Sequence, residues 1–343
     1  MPSVRDKLLT WYDREGRDLP WRRTRDPYAI WVSEVMLQQT RVDTVIPYYE
    51  RFMSSFPTAE ALAKADEDAV LSHWSGLGYY RRARLLHRGV REVVAEYGGA
   101  VPEDVEARGG LPGVGRYTAG AIGSIAFDKE EPVVDGNVSR VLSRFFRIDT
   151  PLGATETTKR LWGLAGRLVV GERPGDLNQA VMELGATVCT PRNPRCGACP
   201  LSADCQALAR DEVDSLPVQR ARKTPKQVEL AAVVATRGRG ADKKIWLVKG
   251  DRPLFGGLWG VPMGEGNARA ALREAGLKAR LKTEPIGQIE HALTHRRLRI
   301  DVYLASAARG TVSKNGQLFA PGSLNQIGVS TLTRKILERA SVH

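Results

Sequence analysis

The chain has 343 residues, of which 42% are hydrophobic and 26% charged, and these proportions exclude a disordered, a collagen-like and a coiled-coil chain. Its length is typical of two domains. Lys and Arg number 51 against 39 Asp and Glu, so the formal net charge of +12 favours a polyanionic partner, either nucleic acid or an anionic membrane surface. No segment approaches the roughly 18 apolar residues of a membrane-spanning helix, and the first 20 residues lack the apolar centre of a signal peptide. We therefore expect a soluble, cytoplasmic protein.

The first 205 residues or so have the periodicity of helices. Apolar residues recur three and four positions apart, and alternating β-branched runs are nearly absent. Turn signals such as Asp26-Pro27 and Gly98-Gly99 separate the helical runs. An all-α domain is therefore predicted for residues 1–215. The clearest helical runs are 6–14, 29–40, 137–146 and 158–169.

A glutamate lies within the apolar run 29–40. Glu34 comes four residues after Ile30 and three before Leu37, so a helix places it on or beside the apolar face. If Glu34 is buried, desolvation raises its pKa and makes it a proton donor. The alternative is an exposed glutamate at the edge of the apolar stripe.

Five arginines follow a glycine-rich aromatic segment. Residues 76–80 read Gly-Leu-Gly-Tyr-Tyr, and the next eleven residues contain no acid. Guanidinium groups bind phosphates, and an aromatic side chain beside flexible glycines can insert between bases. This pattern favours DNA binding over the alternative of a solvated helix face. The arginines are Arg81, Arg82, Arg84, Arg88 and Arg91.

Residues 111–116, Leu-Pro-Gly-Val-Gly-Arg, have the spacing of a tight hairpin between two helices. Gly113 and Gly115 permit the turn, and the next helix then begins with free backbone N–H groups that can bind a phosphate oxygen. A plain connecting turn is the alternative, and the net positive charge favours the phosphate site.

Asp135 precedes an amphipathic run with apolar residues at Val138, Val141 and Leu142. This position is that of a helix N-cap, and capping alone would explain the residue. A carboxylate at the positive end of a helix keeps a low pKa and stays ionised. Asp135 is therefore also suited to stabilise a positive charge.

All four cysteines lie within 17 residues, at Cys189, Cys196, Cys199 and Cys205. A disulfide scaffold usually distributes its bridges across a fold, so this concentration predicts a metal site. Four thiolates at this spacing can bind either zinc or an iron–sulfur cluster. The residues themselves leave that choice open.

The composition changes after residue 215. Residues 216–228 contain four basic residues, two prolines and no acid, which predicts an exposed basic linker, with disordered or extended structure as the alternative. Residues 229–343 combine strand-like and helical runs and are predicted to form an α+β domain. The strand-like runs are 229–237, 244–250, 257–263, 285–293 and 298–307, and the helical runs are 268–276 and 331–340.

Taken together, these motifs resemble the MutY-type adenine DNA glycosylases of the helix-hairpin-helix superfamily, over nearly the whole chain. The most specific pieces are residues 31–40 (WVSEVMLQQT), the hairpin with Tyr117, residues 134–138 (VDGNV) and the cysteine spacing. The resemblance implies a fold of two parts, an all-α glycosylase domain with an iron–sulfur loop and an α+β Nudix-like domain. It implies one four-iron four-sulfur cluster held by the four cysteines. It also implies removal of adenine mispaired with 8-oxoguanine or guanine in double-stranded DNA.

The resemblance assigns roles to single residues. Glu34 matches the acid that protonates the adenine, and Asp135 matches the carboxylate that stabilises the oxocarbenium-like sugar, by its charge or through a covalent intermediate as in retaining glycosidases. Tyr117 and Asn137 match residues that support these two. A flipped adenine is implied, because neither carboxylate could reach the bond inside a stacked duplex. Arg17, Leu19, Trp21 and Arg22 match the adenine pocket, Gln39, Thr40, Leu77, Gly78 and Tyr79 match the segments that enter the duplex or touch the opposite strand, and Gly113 and Gly115 match the DNA-binding hairpin.

The second domain, 229–343, resembles the Nudix-like recognition domain of the same enzymes. Nudix hydrolases hold magnesium with clustered glutamates, whereas residues 266–277 contain only Glu274, so hydrolysis is expected to be lost. Leu293, Thr294 and His295 match the Phe-Ser-His segment that discriminates 8-oxoguanine, with the first two residues substituted.

The protein is expected to be a monomer that associates with the nucleoid and not with a membrane.

Three rival functions differ in the residues that they require. An endonuclease III-like glycosylase and lyase would form a Schiff base through a lysine just after the hairpin, where this chain has Tyr117. A Nudix pyrophosphohydrolase with a DNA-binding appendage would need the missing glutamates. A non-catalytic iron–sulfur DNA-binding protein would not require Glu34.

Overall fold

The computed structural model describes residues 3–220, 224–250, 256–293, 295–312 and 315–341. The chain divides into two compact units, one of residues 1–63 with 88–221 and the other of residues 64–87 with 222–343. Within the described residues, no helix is long and apolar enough to cross a membrane.

The helical character predicted for the N-terminal part is confirmed, since residues 3–215 contain α-helices, short 3-10 turns and no strand within the described range. The helices are α1 (Val4–Glu15), α2 (Pro27–Leu37), α3 (Val42–Ser55), α4 (Ala59–Lys64), α5 (Glu67–His73), α6 (Arg81–Glu96), α7 (Val105–Gly110), α8 (Arg116–Phe127), α9 (Gly136–Phe145), α10 (Thr155–Val169) and α11 (Pro174–Thr187).

Helix α2 is the central helix of the first unit. Asp26 caps its N-terminus by accepting a hydrogen bond from the Tyr28 amide, and Pro27 occupies the first turn, where no amide donor is needed. Every residue from 28 to 36 is buried, so the helix is enclosed on all sides. It ends at Leu37, and Gln39 then takes a positive φ of 57°. The predicted run 29–40 is therefore helical only as far as Leu37.

The segment that leads to Asp135 packs closely on α8. Gly120 and Gly123 make this possible, because a Cβ at Gly120 would overlap the Pro132 carbonyl and one at Gly123 would overlap the Glu131 carboxylate. Asn178 on α11 donates to the Glu131 carbonyl at 2.8 Å and fixes the same segment from the other side.

Arg108 on α7 is fully buried and holds three parts of the first unit together. Its guanidinium donates to the carbonyls of Glu103 (2.7 Å) and Ala119 (3.0 Å) and to the Glu131 carboxylate (2.7 Å). We expect Arg108→Met to lower the free energy of unfolding by about 3–5 kcal/mol, because it leaves a largely buried carboxylate without its partner. Chemical denaturation followed by circular dichroism measures this loss.

The matched control is Arg25→Met. Arg25 pairs with Asp128 at 3.7 Å, but its side chain is 59% exposed, so its loss should change the stability by less than about 1 kcal/mol. Equal effects of the two substitutions would contradict the structural importance of the buried pair.

The α+β character predicted for the C-terminal part is also confirmed. The long strands β1 and β7 pair in parallel from Lys226↔Arg296 to Ala235↔Ala305, and the other strands join them on both sides. One face of the sheet packs against α13, with Ile300 and Ile336 fully buried, and the other packs against α12. The elements are β1 (Lys226–Arg237), β2 (Lys244–Lys249), β3 (Trp259–Gly260), β4 (Met263–Glu265), α12 (Ala268–Glu274), β5 (Lys278–Leu281), β6 (Gly287–Ala292), β7 (Arg296–Arg309), β8 (Gly316–Phe319) and α13 (Thr331–Arg339).

The structure differs from the exposed linker expected over 216–228. Leu216 is buried and its carbonyl accepts a hydrogen bond from Arg144, while Val218 accepts one from the Leu152 amide. Residues from Lys226 onward already belong to β1. The pattern of basic residues and prolines did not reveal that Leu216 anchors the start of this segment. Residues 221–223 lie outside the described part, and the boundaries 1–215, 216–228 and 229–343 stay a prediction.

Candidate active site

A cavity of about 670 Å³ lies in the first unit, and it is lined by residues from α2, α8, α9, α11 and the loops between them. Glu34 and Asp135 both face this cavity. The remaining lining residues include apolar side chains, two arginines and the backbone of the hairpin, so the cavity offers both packing surface and polar groups to a planar polar ligand.

Glu34 is buried, with 5% of its surface exposed, so the alternative of an exposed glutamate is excluded. Desolvation raises its pKa to about 7, and the nearby Asp135 acts in the same direction, whereas a hydrogen bond from Tyr117 opposes the rise. The Tyr117 hydroxyl donates to Glu34 Oε2 at 2.6 Å. Burial also raises the pKa of Tyr117 well above its usual value, so the phenol stays protonated and remains a donor.

Asp135 is the N-cap of α9, as its position in the sequence predicted. Its Oδ1 accepts from the Val138 amide at 2.7 Å, and its Oδ2 accepts from Asn137 Nδ2 at 3.0 Å. The expectation of a low pKa for Asp135 is wrong, because burial raises the pKa and outweighs these hydrogen bonds. The sequence identified the capping position but could not show how far the carboxylate is removed from water.

The structure brings most of the sequence-predicted site residues to this one cavity. Both hairpin glycines, two residues of the segment after α2 and the four residues of the expected adenine pocket all line it, together with Tyr117 and Asn137 beside the two carboxylates. These lining residues are Arg17, Leu19, Trp21, Arg22, Glu34, Gln39, Thr40, Gly113, Gly115, Tyr117, Asp135 and Asn137.

Sequence reasoning missed a third carboxylate, Glu183 on α11. Its side chain is fully buried, and it accepts from Arg17 Nε at 2.6 Å and from Arg22 Nη2 at 2.9 Å. Burial opposes ionisation, but the two arginines outweigh it and lower the pKa of Glu183. Glu183 therefore orients both arginines at the wall of the cavity.

A signal for Glu183 was present in the sequence. Gln179, Met182, Glu183 and Ala186 are spaced three and four apart on α11, and all of them line the cavity. A polar residue at the spacing of the apolar face of a largely buried helix is the same signal that identified Glu34.

The four cysteines form no disulfide in the described part of the chain, and each is partly exposed. Burial raises the pKa of Cys199 to about 11, and the thiols of Cys189, Cys196 and Cys205 act in the same direction. Arg144 Nη1 lies 3.4 Å from the Cys189 sulfur. Four thiols beside a buried guanidinium fit an anionic cluster that needs thiolate ligands and positive charge nearby.

A chain of hydrogen bonds connects the cysteine loop with Asp135. Asn137 donates to Asp135, and its own Oδ1 accepts from Arg140 Nη2 at 2.8 Å. Arg140 Nε in turn donates to the Cys189 carbonyl at 2.7 Å. The start of α9 is therefore held in place by the loop that carries the thiols.

The other predicted site residues lie in the second unit. Leu77 is buried, Gly78 has a positive φ of 70°, and the Tyr79 side chain is 50% exposed. Leu293 begins the turn between β6 and β7 and packs partly on the core, while His295 is exposed. Thr294 lies outside the described residues.

Three known families match separate parts of the chain. Residues 32–167 match the HhH-GPD superfamily of base excision DNA repair proteins, residues 189–205 the iron–sulfur binding domain of endonuclease III, and residues 233–339 the NUDIX domain. The iron–sulfur match decides between zinc and iron for the cysteine loop, in favour of an iron–sulfur cluster. The chain is 39% identical to the adenine DNA glycosylase of Homo sapiens, with 97% of this chain and 73% of that protein covered.

Two further similarities agree with these matches. The adenine DNA glycosylase of Rattus norvegicus is 39% identical, with 99% of this chain and 76% of that protein covered. A solved structure of a thermostable thymine-DNA glycosylase is 33% identical with a TM-score of 0.54, covering 60% of this chain and 95% of that one.

Proposed function

The chain belongs to the adenine DNA glycosylase family, and from this premise we propose that it excises adenine mispaired with 8-oxoguanine or guanine through Glu34 and Asp135. Base excision repair by removal of adenine from DNA is the activity of the family. The placement of both carboxylates on one cavity carries the assignment of residues, since a single flipped nucleotide could contact both.

In the proposed reaction Glu34 is the general acid. Its raised pKa keeps the carboxyl protonated near neutral pH, and it transfers this proton to the adenine ring as the bond between the base and the sugar breaks. The bonding electrons leave with the adenine, and the sugar becomes an oxocarbenium-like cation. The Asp135 carboxylate stabilises that cation by its charge until a water molecule adds to the sugar carbon.

Other side chains and the hairpin position the reactants. Tyr117 holds Glu34 at 2.6 Å, and Asn137 holds Asp135 at 3.0 Å. Arg17 and Arg22, both held by Glu183, present guanidinium donors to the polar edge of the flipped base. The hairpin at Gly113 and Gly115 binds the DNA backbone through the free amides at the start of α8.

The proposed enzyme is a monofunctional glycosylase. A lyase needs an amine for the Schiff base, and among the described residues that line the cavity there is no lysine. Tyr117, which occupies the position after the hairpin, already donates its hydroxyl to Glu34. Borohydride should therefore not trap the enzyme on DNA through its own turnover.

We assign the cluster as four-iron four-sulfur, held by the four cysteines, with a structural role. Residues 189–205 match an iron–sulfur binding domain, which supports a cluster over a single zinc ion. The four cysteines would hold the cluster on the loop that supports α9, and base excision itself requires no electron transfer.

The second unit is proposed to recognise the base opposite adenine. Hydrolase activity is not expected, because α12 carries Glu274 as its single acid. The turn between β6 and β7, with Leu293 and His295, is the segment proposed to contact 8-oxoguanine. The proposed enzyme acts as a monomer.

The alkaline side of the pH–rate profile should depend on Glu34. With the pKa of Glu34 near 7, the single-turnover rate should fall about tenfold per pH unit above that value, because only the protonated form donates. Tyr117→Phe should move this limb to higher pH, since the lost hydrogen bond had favoured the ionised carboxylate. A limb that stays in place in Tyr117→Phe would contradict the assignment.

The function is tested with duplexes containing A:8-oxoguanine, A:G or A:T pairs, followed by gel analysis with and without alkali. We expect strand breaks at adenine only after alkali, and in the mispaired duplexes well above A:T. Breaks without alkali would indicate a lyase. No release of adenine from any duplex would refute the proposed function.

A further inference from the structure

The loop between α5 and α6 carries an exposed aromatic side chain in a strained conformation. Tyr79 is 50% exposed with a φ of 47°, whereas the neighbouring Leu77 and Tyr80 are buried. Positive φ is unfavourable for an aromatic residue, so the surroundings must hold it. Two of the flanking residues, Gly76 and Gly78, also have positive φ.

Hydrogen bonds fix the outer part of this loop. Trp74, which is fully buried, donates from Nε1 to the Gly78 carbonyl at 3.1 Å. Arg82 donates to the carbonyls of Leu77 and Gly78, both at 3.3 Å. The loop is thus closed by side chains of the helices on either side of it.

A second set of contacts connects the loop with the C-terminal part of the same unit. The Gly76 amide donates to the Tyr80 hydroxyl at 3.3 Å, and that hydroxyl donates to the Val329 carbonyl at 3.1 Å. Ser75 Oγ also donates to the Val329 carbonyl at 3.3 Å, and Arg334 on α13 donates to the same Ser75 oxygen at 3.3 Å.

The Val329 carbonyl is held in place by the packing and hydrogen bonds of its neighbours. Val329 is fully buried, and Ser330 caps α13 directly after it. Gly328 lies so close to α5 that a Cβ there would be 2.7 Å from the Leu71 Cβ. The Gly328 carbonyl accepts from the Trp259 amide at 2.9 Å. The backbone of Gly328 and Val329 therefore gives the loop a rigid acceptor for its hydrogen bonds.

We propose that Tyr80 is a positioning residue whose hydroxyl, between Gly76 and Val329, holds residues 75–79 in the conformation that presents Tyr79 to DNA. An exposed aromatic group on a rigid loop beside arginines is suited to enter a base stack. A loop that is already ordered loses less entropy when it binds. The C-terminal part of the second unit thereby contributes to duplex distortion without touching the DNA at this place. This inference rests on the proposed function, because it takes DNA as the ligand.

The test uses full-length Tyr80→Phe, which removes the hydroxyl and keeps the ring, with Tyr97→Phe as the matched control. The duplex carries 2-aminopurine beside the A:8-oxoguanine pair, and its fluorescence reports local unstacking. We expect the unstacking equilibrium to weaken about three- to tenfold in Tyr80→Phe, the size of one lost hydrogen bond, and to stay unchanged in Tyr97→Phe. Thermal unfolding of both variants separates this effect from a loss of stability.

Arg334→Met, with Lys335→Met as its control, tests the same connection from α13. It should weaken unstacking in the same direction, and the double variant with Tyr80→Phe should lose less than the two single losses combined. If Tyr80→Phe does not fold, the result for Arg334→Met decides. Wild-type unstacking in the folded variants would overturn this inference alone, whereas a wild-type protein that releases no adenine would refute the proposed function.

Discussion

Glu34→Gln is expected to abolish most adenine excision while making the folded protein more stable at alkaline pH. Glutamine has the shape of the protonated carboxyl but cannot transfer a proton. A positioned general acid contributes roughly 10²- to 10⁴-fold to a rate, so the single-turnover excision rate should fall by that amount. The rate is measured with excess enzyme on an A:8-oxoguanine duplex, and Glu15→Gln on the exposed end of α1 is the matched control.

The stability change distinguishes lost chemistry from lost folding. Burial raises the pKa of Glu34 from 4.5 to about 7, so the folded state favours the protonated form. The contribution of this group to stability is fully present below pH 4.5 and is lost as the pH rises through 7. At pH 8 the wild-type protein therefore carries a cost of roughly 3 kcal/mol that glutamine removes.

Glu34→Gln should accordingly unfold at a higher temperature than the wild type at pH 8, and at about the same temperature near pH 4.5. An active variant would refute the acid role of Glu34. An inactive variant that is less stable at pH 8 would mean that Glu34 supports the fold in a way its burial does not explain.

Asp135→Asn is expected to lower the single-turnover rate about 10²- to 10³-fold while the cap of α9 is kept. The amide has no charge to stabilise the sugar cation, and removing one such electrostatic group typically costs this much. Asparagine caps helices about as well as aspartate, so α9 should still begin at Gly136. Binding to substrate DNA, measured by fluorescence anisotropy, should be kept.

The matched control is Asp104→Asn. Asp104 caps α7 by accepting from the Ala107 amide, and it does not line the cavity. Its substitution should leave the excision rate unchanged. If the single-turnover excision rate of Asp135→Asn stays within about threefold of the wild-type rate, Asp135 does not stabilise the sugar cation and serves only as a helix cap.

Short sequence patterns predicted the helices and strands whose ends depend on neighbouring residues in the chain. Asp26-Pro27 marked the start of α2, Asp135 marked the start of α9, and the strand-like runs marked the long strands β1 and β7. The short strands β5 and β8 were not identified, because four residues at a sheet edge carry too little periodicity. The buried position of Leu216 was missed for a related reason, since one apolar residue in a basic segment has no pattern.

Sequence patterns identified the side chains that are available for chemistry: a glutamate on an apolar helix face, an aspartate at a helix N-terminus, a glycine hairpin and four clustered thiols. The packing of the helices against one another placed Glu34 and Asp135 on one cavity and removed both carboxylates from water. It also decided that Glu183 pairs with Arg17 and Arg22. The physical reason is that periodicity reports the face of one element, whereas burial and charge pairing depend on the elements packed against it.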